Sequence, residues 1–200
     1  MENLIIINAS PRAFKSNTLK YINHFKNYFK NNIIEYNLLT DDYNEICKKI
    51  LKINNILIAY PLYVDGIPAI LIEFLKTLEQ YKIKKNIKIN IIVNCGFLEP
   101  EQNFVSVKMI ELFCKQNNFI LKSCLCIGCG EAIMKTPFSF LVKNKLKKLA
   151  KAIKKNENKF FIITIPLTKK LYIKASTKYW INYGKKYGIT KKEMQQMEIK

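Results

Sequence analysis

Five side chains near the start of the chain have the chemistry to hold an anion: Ser10, Arg12, Ser16, Asn17 and Thr18. Their hydroxyls and amide donate hydrogen bonds, and the guanidinium adds a planar cation with several donors. They follow the apolar run 4–7 and lead into an amphipathic segment, which reads as strand, loop and helix. At such a junction the first backbone N–H groups of the helix have no intrahelical partner and the helix dipole adds partial positive charge. A phosphate is the expected occupant.

Two more loops carry residues of a complementary kind. One is Pro61-Leu62-Tyr63-Val64-Asp65-Gly66-Ile67-Pro68, fixed by proline at both ends; the other is Asn94-Cys95-Gly96-Phe97. Tyr63 and Phe97 can pack on a planar ring, and backbone N–H groups near Asp65 and Gly96 can address its polar edge. Acid–base material is scarce. His24 is the only histidine and lies off the apolar stripe of its helix, so a histidine metal site or Ser-His-Asp triad has almost nothing to be built from. There is no nucleophile elbow, no pair of carboxylates at useful spacing and no glycine-rich loop with a lysine. A site that captures anions but has few acids or bases implies a cofactor that carries the reaction. No catalytic side chain and no metal ligand is assigned.

The positioning elements follow from periodicity. Leu19, Ile22, Phe25 and Phe29 predict a helix over 17–30; 33–38 reads as a strand; Asp41-Asp42 caps a helix reaching Lys52. The segment 55–60 is apolar on both faces, as an interior parallel strand is. Pro68 opens a helix that buries Leu71, Phe74, Leu75 and Leu78. A strand over 87–93 precedes a helix marked by Val105, Met109, Leu112 and Phe113, and 119–127 is a fifth strand. A basic amphipathic helix spans 138–156. Beyond it, 160–165 reads as a strand or a buried extension. Leu171, Ala175, Tyr179 and Tyr183 form a stripe flanked by lysines, expected to pack on the domain or on a second subunit, the alternative being a basic aromatic surface for membrane or nucleic acid. Strands alternating with helices imply an α/β fold: a doubly wound, five-stranded parallel sheet, order 2-1-3-4-5, with a C-terminal helical extension. The loops after strands one, three and four then meet at the carboxyl edge, where such sheets bind ligands. The expected division is 1–157 for the sheet domain and 158–200 for the extension.

The three loops, Ser10-Pro11-Arg12 with Ser16-Asn17-Thr18, then 61–68, then 94–97, resemble the flavin-contacting segments of the flavodoxin-like NAD(P)H-dependent FMN reductase and quinone reductase family. The resemblance covers about residues 3–155. It implies FMN, with its phosphate in the 10–18 cradle and its ring against 61–65 and 94–97. The cofactor-binding residues would be Ser10, Arg12, Ser16, Asn17, Thr18, Pro61, Leu62, Tyr63, Val64, Asp65, Asn94, Cys95, Gly96 and Phe97. It also implies NADPH or NADH as co-substrate, ping-pong transfer to a quinone, flavin, azo or nitro acceptor, and a homodimer. Ala13-Phe14-Lys15 departs from the glycine or small residues that related loops often carry. Iron–sulfur flavoproteins share the fold, but Cys124-x-Cys126-x-x-Cys129 offers only three closely spaced thiols, which read as core packing. Cys95, beside the expected flavin, is either redox-sensitive or inert, with inert packing preferred.

Composition bounds the alternatives. The 200 residues carry a formal charge of +19, made by 33 lysines and one arginine spread along the chain. Lysine, asparagine and isoleucine share A/T-rich codons, so much of this charge reflects genome composition. Nucleic acid and membrane are therefore not expected partners, although the field would attract anionic small molecules. Six cysteines without a signal-like start point to reduced thiols and a cytoplasmic location. The other readings are a flavodoxin-like electron carrier, a class usually acidic, and a basic binding module without flavin.

Overall fold

The computed structural model describes residues 3–83 and 86–196; the last four positions of the expected extension, 197–200, lie outside the described residues. Six strands form one parallel sheet: Leu4–Asn8 (β1), Ile33–Asn37 (β2), Asn55–Pro61 (β3), Lys88–Asn94 (β4), Ile120–Ile127 (β5) and Phe160–Ile163 (β6), in the order β2-β1-β3-β4-β5-β6. The helices are Asn17–Lys26 (α1), Tyr43–Ile50 (α2), Ala69–Gln80 (α3), Phe104–Gln116 (α4), Ser139–Lys154 (α5), Lys169–Lys185 (α6) and Lys191–Gln196 (α7). The described residues divide into two compact units, one ending at Ile165 and the other starting at Pro166.

The expected five-stranded sheet is thus corrected to six strands. The aromatic and β-branched run Phe160–Ile163 pairs in parallel with Cys124–Ile127, occupying backbone groups that would otherwise lie open along the outer edge of β5. Strand β3 is buried along its whole length, as its two-sided apolar pattern requires. Side chains alternate across the sheet. Ile5, Ile7, Ile56, Ile58, Ile91 and Val93 join α2, α3 and α4 in one core, while α1 and α5 pack on the strands together on their own side.

Two helices differ from the sequence reading. Helix α1 ends at Lys26, short of residue 30, but Phe29 stays buried because its ring stacks on Phe25 at 5.5 Å between centroids. In α4 the residues that mark the helix in the sequence lie largely on its outer side: Val105, Met109 and Leu112 are exposed, and Ser106, Val107, Ile110 and Cys114 are buried. The helix carries two apolar stripes. The choice between them is made by Tyr60, fully buried on β3, whose hydroxyl donates to Ser106 Oγ at 3.3 Å. Ser106 in turn donates to the Asn103 carbonyl at 2.8 Å. Satisfying a buried phenol outweighs burying a valine.

Asn90, buried in the middle of β4, repairs an irregularity of the sheet. The register between β4 and β5 shifts between Ile89 and Ile91, so two residues of β5 oppose one of β4. Asn90 Oδ1 accepts from Ser123 N at 3.1 Å, and its amide donates to Asn55 Oδ1 at 3.0 Å and to the Ile56 carbonyl at 3.1 Å. The side chain thereby satisfies groups on both neighbouring strands. Asn90→Leu, of similar size, should lower the unfolding free energy by about 2 kcal/mol by leaving these buried groups unpaired, read as a reduced urea midpoint at unchanged m-value.

Candidate functional site

The loops after β1, β3 and β4 meet at the carboxyl edge of the sheet around a small cleft. The cleft, open to one side and with a volume of about 70 Å3, is lined by Ser10, Arg12, Ser16, Asn17, Thr18, Pro61, Leu62, Tyr63, Asn94, Cys95, Gly96 and Glu131. Val64, Asp65 and Phe97, named with the others from the sequence, fall outside that lining. Glu131, in the loop after β5, is the residue that sequence reasoning left out. Its signal was positional: a loop at the carboxyl end of a further strand of the same sheet belongs to the same edge.

The first loop is a turn of 3-10 helix, Ala13–Lys15, followed by α1. Ala13 has φ of 42°, a left-handed conformation that glycine would adopt with less strain. Ser16 caps α1 by accepting from Leu19 N at 3.1 Å, and Ser10 Oγ accepts from Arg12 N at 3.4 Å. A hydroxyl whose oxygen is so engaged keeps its proton to donate outward. Thr18 differs: its hydroxyl donates to Asn94 Oδ1 at 3.0 Å, so what it offers an anion is its backbone N–H in the first turn of α1.

The second loop is a tight turn. Tyr63 and Gly66 exchange backbone hydrogen bonds of 3.1 and 2.9 Å around Val64 and Asp65, whose φ values are 45° and 57°. Positive φ at both central residues is the geometry of a type I′ turn, and a β-branched residue there is strained. Val64 is fully exposed, so burial does not explain it. Tyr63 and Phe97 are 42% and 51% exposed, leaving aromatic surface available to a planar ligand.

Asn94 ties the loops together. Its side chain accepts from Thr18, its carbonyl accepts from Leu62 N at 2.8 Å, and Gly130 packs against its Cβ. The loop after β5 supports it from below: Gly130 N donates to the Cys95 carbonyl at 2.7 Å, Cys129 N donates to the Phe97 carbonyl at 2.6 Å, and the buried Tyr21 hydroxyl donates to the Gly130 carbonyl at 2.7 Å. Cys95 is buried, and its Sγ receives a contact from Asn103 Nδ2 at 3.4 Å. Burial raises its thiol pKa, only partly opposed by hydrogen bonds with Phe97 and Asn103, so the thiol is protonated at neutral pH. Burial also pushes Cys126 up to about 12. Among the described residues, no group of three or more His, Cys, Asp or Glu side chains is placed to hold a metal ion. His24, partly exposed on α1, has its pKa lowered by burial and then by Lys143.

The first five strands in the order 2-1-3-4-5, with a cleft where β1 and β3 part, define a flavodoxin-like doubly wound fold extended by one strand. Solved structures share it. An NADPH-quinone reductase from P. pentosaceus is 18% identical, with a TM-score of 0.58 over 79% of this chain and 99% of that one. An FMN-dependent NADH-azoreductase from Bacillus anthracis, in complex with FMN, is 17% identical, with a TM-score of 0.55 over 79% of this chain and all of that one. General stress protein 14 from Treponema denticola, also in complex with FMN, is 16% identical, with a TM-score of 0.54 over 78% and 97% of the two chains. The family resemblance read from the three loops is therefore matched in fold. No protein-family model and no curated protein matches the sequence.

A methyl group at Gly130 would lie 2.9 Å from Asn94 Cβ and 3.2 Å from the Cys95 carbonyl oxygen, closer than packing allows. Gly130→Ala should therefore displace Asn94 and cost about 1–3 kcal/mol of stability, measured by chemical denaturation. In the double variant with Thr18→Val, which has already lost the Thr18–Asn94 bond, the two costs should fall short of additive.

Proposed function

We propose that the chain is an FMN-dependent oxidoreductase that uses NADPH or NADH to reduce a quinone, flavin, azo or nitro compound. The observation that carries this reading is the joining of an anion cradle, exposed aromatic surface and a near absence of acid–base side chains in one cleft. The residues fit the cofactor. Ser10 and Ser16 hold outward-donating hydroxyls, the first turn of α1 adds backbone N–H groups, and Arg12 supplies positive charge at the same rim. The hydroxyls and backbone N–H groups suit the phosphate end, while Tyr63 and Phe97 offer surface to the ring. Bound there, FMN supplies hydride transfer through N5, from the nicotinamide to the acceptor, in two half-reactions.

The chain's part is positioning and electrostatics. Asn94 holds the phosphate loop and both ring-facing loops in fixed relation, so the cradle and the planar surface keep their spacing. Arg12 and the α1 dipole balance the phosphate charge, and the +19 field of the whole chain raises the local concentration of an anionic dinucleotide. With the Cys95 thiol buried and protonated, no side-chain nucleophile competes in the cleft.

The homodimer expected from the sequence resemblance has a surface to use. Phe104, Val105, Met109 and Leu112 on α4 join Phe160 and Ile162 on β6 in an exposed apolar face, with the Phe104 and Phe160 rings 5.3 Å apart. Met109 Sδ lies 3.7 Å from where a Cβ on Gly66 would stand, which puts this face beside the second loop. A partner packed there would border the cleft.

The purified full chain should gain a flavin absorbance band on adding FMN and lose it on anaerobic addition of NADPH or NADH. A chain that stays colourless with FMN overturns the reading, and a bound flavin that neither nicotinamide reduces leaves the electron carrier in its place. Arg12→Ala should weaken FMN binding about tenfold, the worth of one charge-assisted hydrogen bond; unchanged affinity would reduce Arg12 to surface charge. Leu112→Glu should turn a dimer into a monomer in sedimentation analysis while leaving the far-ultraviolet spectrum unaltered.

A further inference from the structure

The second compact unit presents a surface that the oxidoreductase reading does not use. Positions in α6 advance by about 100° per residue, which places Ile173, Tyr179, Trp180, Tyr183 and, just past the helix end, Tyr187 within an arc of about 120°. All five are exposed, at 43–67%. Four of them form a continuous ladder of rings: Tyr179 to Trp180 is 5.3 Å, Trp180 to Tyr183 is 5.9 Å and Tyr183 to Tyr187 is 5.2 Å. Lys170, Lys174, Lys178 and Lys185 fall within an arc of about 80° on the opposite side, all exposed. Lys169 and Lys186 stand at the two ends of the aromatic face. Helix α7 packs along one edge of the aromatic arc, where Met194 Sδ would lie 2.6 Å from a Cβ at Gly184 and where Trp180 borders a cleft shared with Lys191, Met194 and Gln195, while Tyr179, Tyr183 and Tyr187 stay exposed.

We propose that α6 is an interfacial helix that docks this chain on an anionic lipid bilayer, aromatic face toward the acyl chains and lysines in the headgroup layer. Charge selects this occupant. From residue 166 to 200 there are nine lysines against Glu193 and Glu198, in a chain of net charge +19. Anionic headgroups attract each of these lysines, and the attraction weakens as salt screens it. Segregation selects it too. Single-stranded nucleic acid needs cations and aromatic rings in one groove, since phosphates and bases lie side by side; here Lys170, Lys174, Lys178 and Lys185 face away from the rings, and only Lys169 and Lys186 flank them. A bilayer interface asks for this separation. Tyrosine and tryptophan rings sit at headgroup depth, and lysine stems reach along the helix to keep their ammonium groups in water.

The docking does not depend on the flavin, so its failure and that of the oxidoreductase reading are told apart by separate measurements. The full chain should sediment with vesicles of equal parts phosphatidylcholine and phosphatidylglycerol, far less with phosphatidylcholine alone, and less as salt is raised. Trp180 is the only tryptophan, so its emission should shift to the blue on binding. Lys174→Glu and Lys178→Glu should each weaken binding by about fivefold or more. Tyr183→Ser with Tyr187→Ser should weaken it with helix content retained by circular dichroism, both positions being exposed. The proposal is overturned by absence of binding to the anionic vesicles, or by binding without a tryptophan shift. A blue shift that grows with protein concentration in the absence of lipid would overturn it in favour of a second copy, and tighter binding to oligo(dT) with quenched emission would do so in favour of nucleic acid.

Discussion

The site depends on one buried hydrogen bond between distant parts of the chain, from Thr18 Oγ1 to Asn94 Oδ1. Thr18 belongs to the first turn of α1 and Asn94 ends β4, so the bond sets the distance between the anion cradle and the loop opposite. Both side chains are nearly inaccessible to water, at 1% and 6%, and a lost partner there leaves a polar group unsatisfied. Asn94 also fixes the second loop through its carbonyl and leaves no room for a side chain at position 130. Three loops that share no sequence neighbourhood are thereby made into one rigid rim. Under the function proposed above, that rigidity would be the main contribution the protein makes.

The loops of this rim were legible in the sequence because their chemistry is local. Serines, an asparagine and an arginine between an apolar run and a helix mean much the same in any fold, and alternation of strands and helices sends their loops to one edge. Asn94 as a tie was not legible, since its partner is 76 positions away and nothing at residue 94 announces it. Glu131 was missed for a related reason: the strand preceding it was recognised, but its loop held no group that stood out. The orientation of α4 is more instructive. Val105, Met109 and Leu112 fit a helical stripe as well as Val107, Ile110 and Cys114 do, and periodicity has no means of preferring one. The preference came from Tyr60, whose buried hydroxyl needed Ser106. The sixth strand escaped because four residues are too few to separate an edge strand from a buried extension.

Of the seven non-glycine residues with positive φ among the described residues, Lys82, Asn118 and Asn156 follow helices and the other four share the edge of the sheet that carries the cleft. Ala13, Val64, Asp65 and Cys129 all take positive φ without being glycine, and all four lie in loops at the carboxyl ends of strands. Conformations of this kind cost of order 1–3 kcal/mol each in the least favourable cases, and they persist only where the surroundings hold them. Those surroundings are the two-sided core beneath, with β1 and β3 buried throughout. Val64 is the plainest case, because its side chain is wholly solvent-exposed and gains nothing from packing. The gain must lie in the backbone that the turn presents, including the N–H groups of the residues that follow Tyr63.

Charge divides the molecule's chemistry into two scales. At short range the cleft has one guanidinium, one carboxylate from Glu131 and a helix N-terminus, a combination able to orient an anion but with little capacity to move a proton. Buried thiols do not change this: those of Cys47, Cys114 and Cys126 are all pushed up to about 12, so they remain neutral and act as small apolar side chains. At long range the lysines give a field that acts on any anion approaching the chain, and it acts without regard to shape. Selectivity therefore has to come from surfaces where charge is combined with something else. Two such surfaces are present: the cleft, where positive charge meets the Tyr63 ring inside a rigid rim, and α6, where four lysines lie opposite a face of rings. For the first, the ligand proposed above is a small anionic ring compound. The second has no enclosure and spreads both properties along more than four turns, which matches a planar, extended, anionic partner and not a molecule of the size the cleft admits.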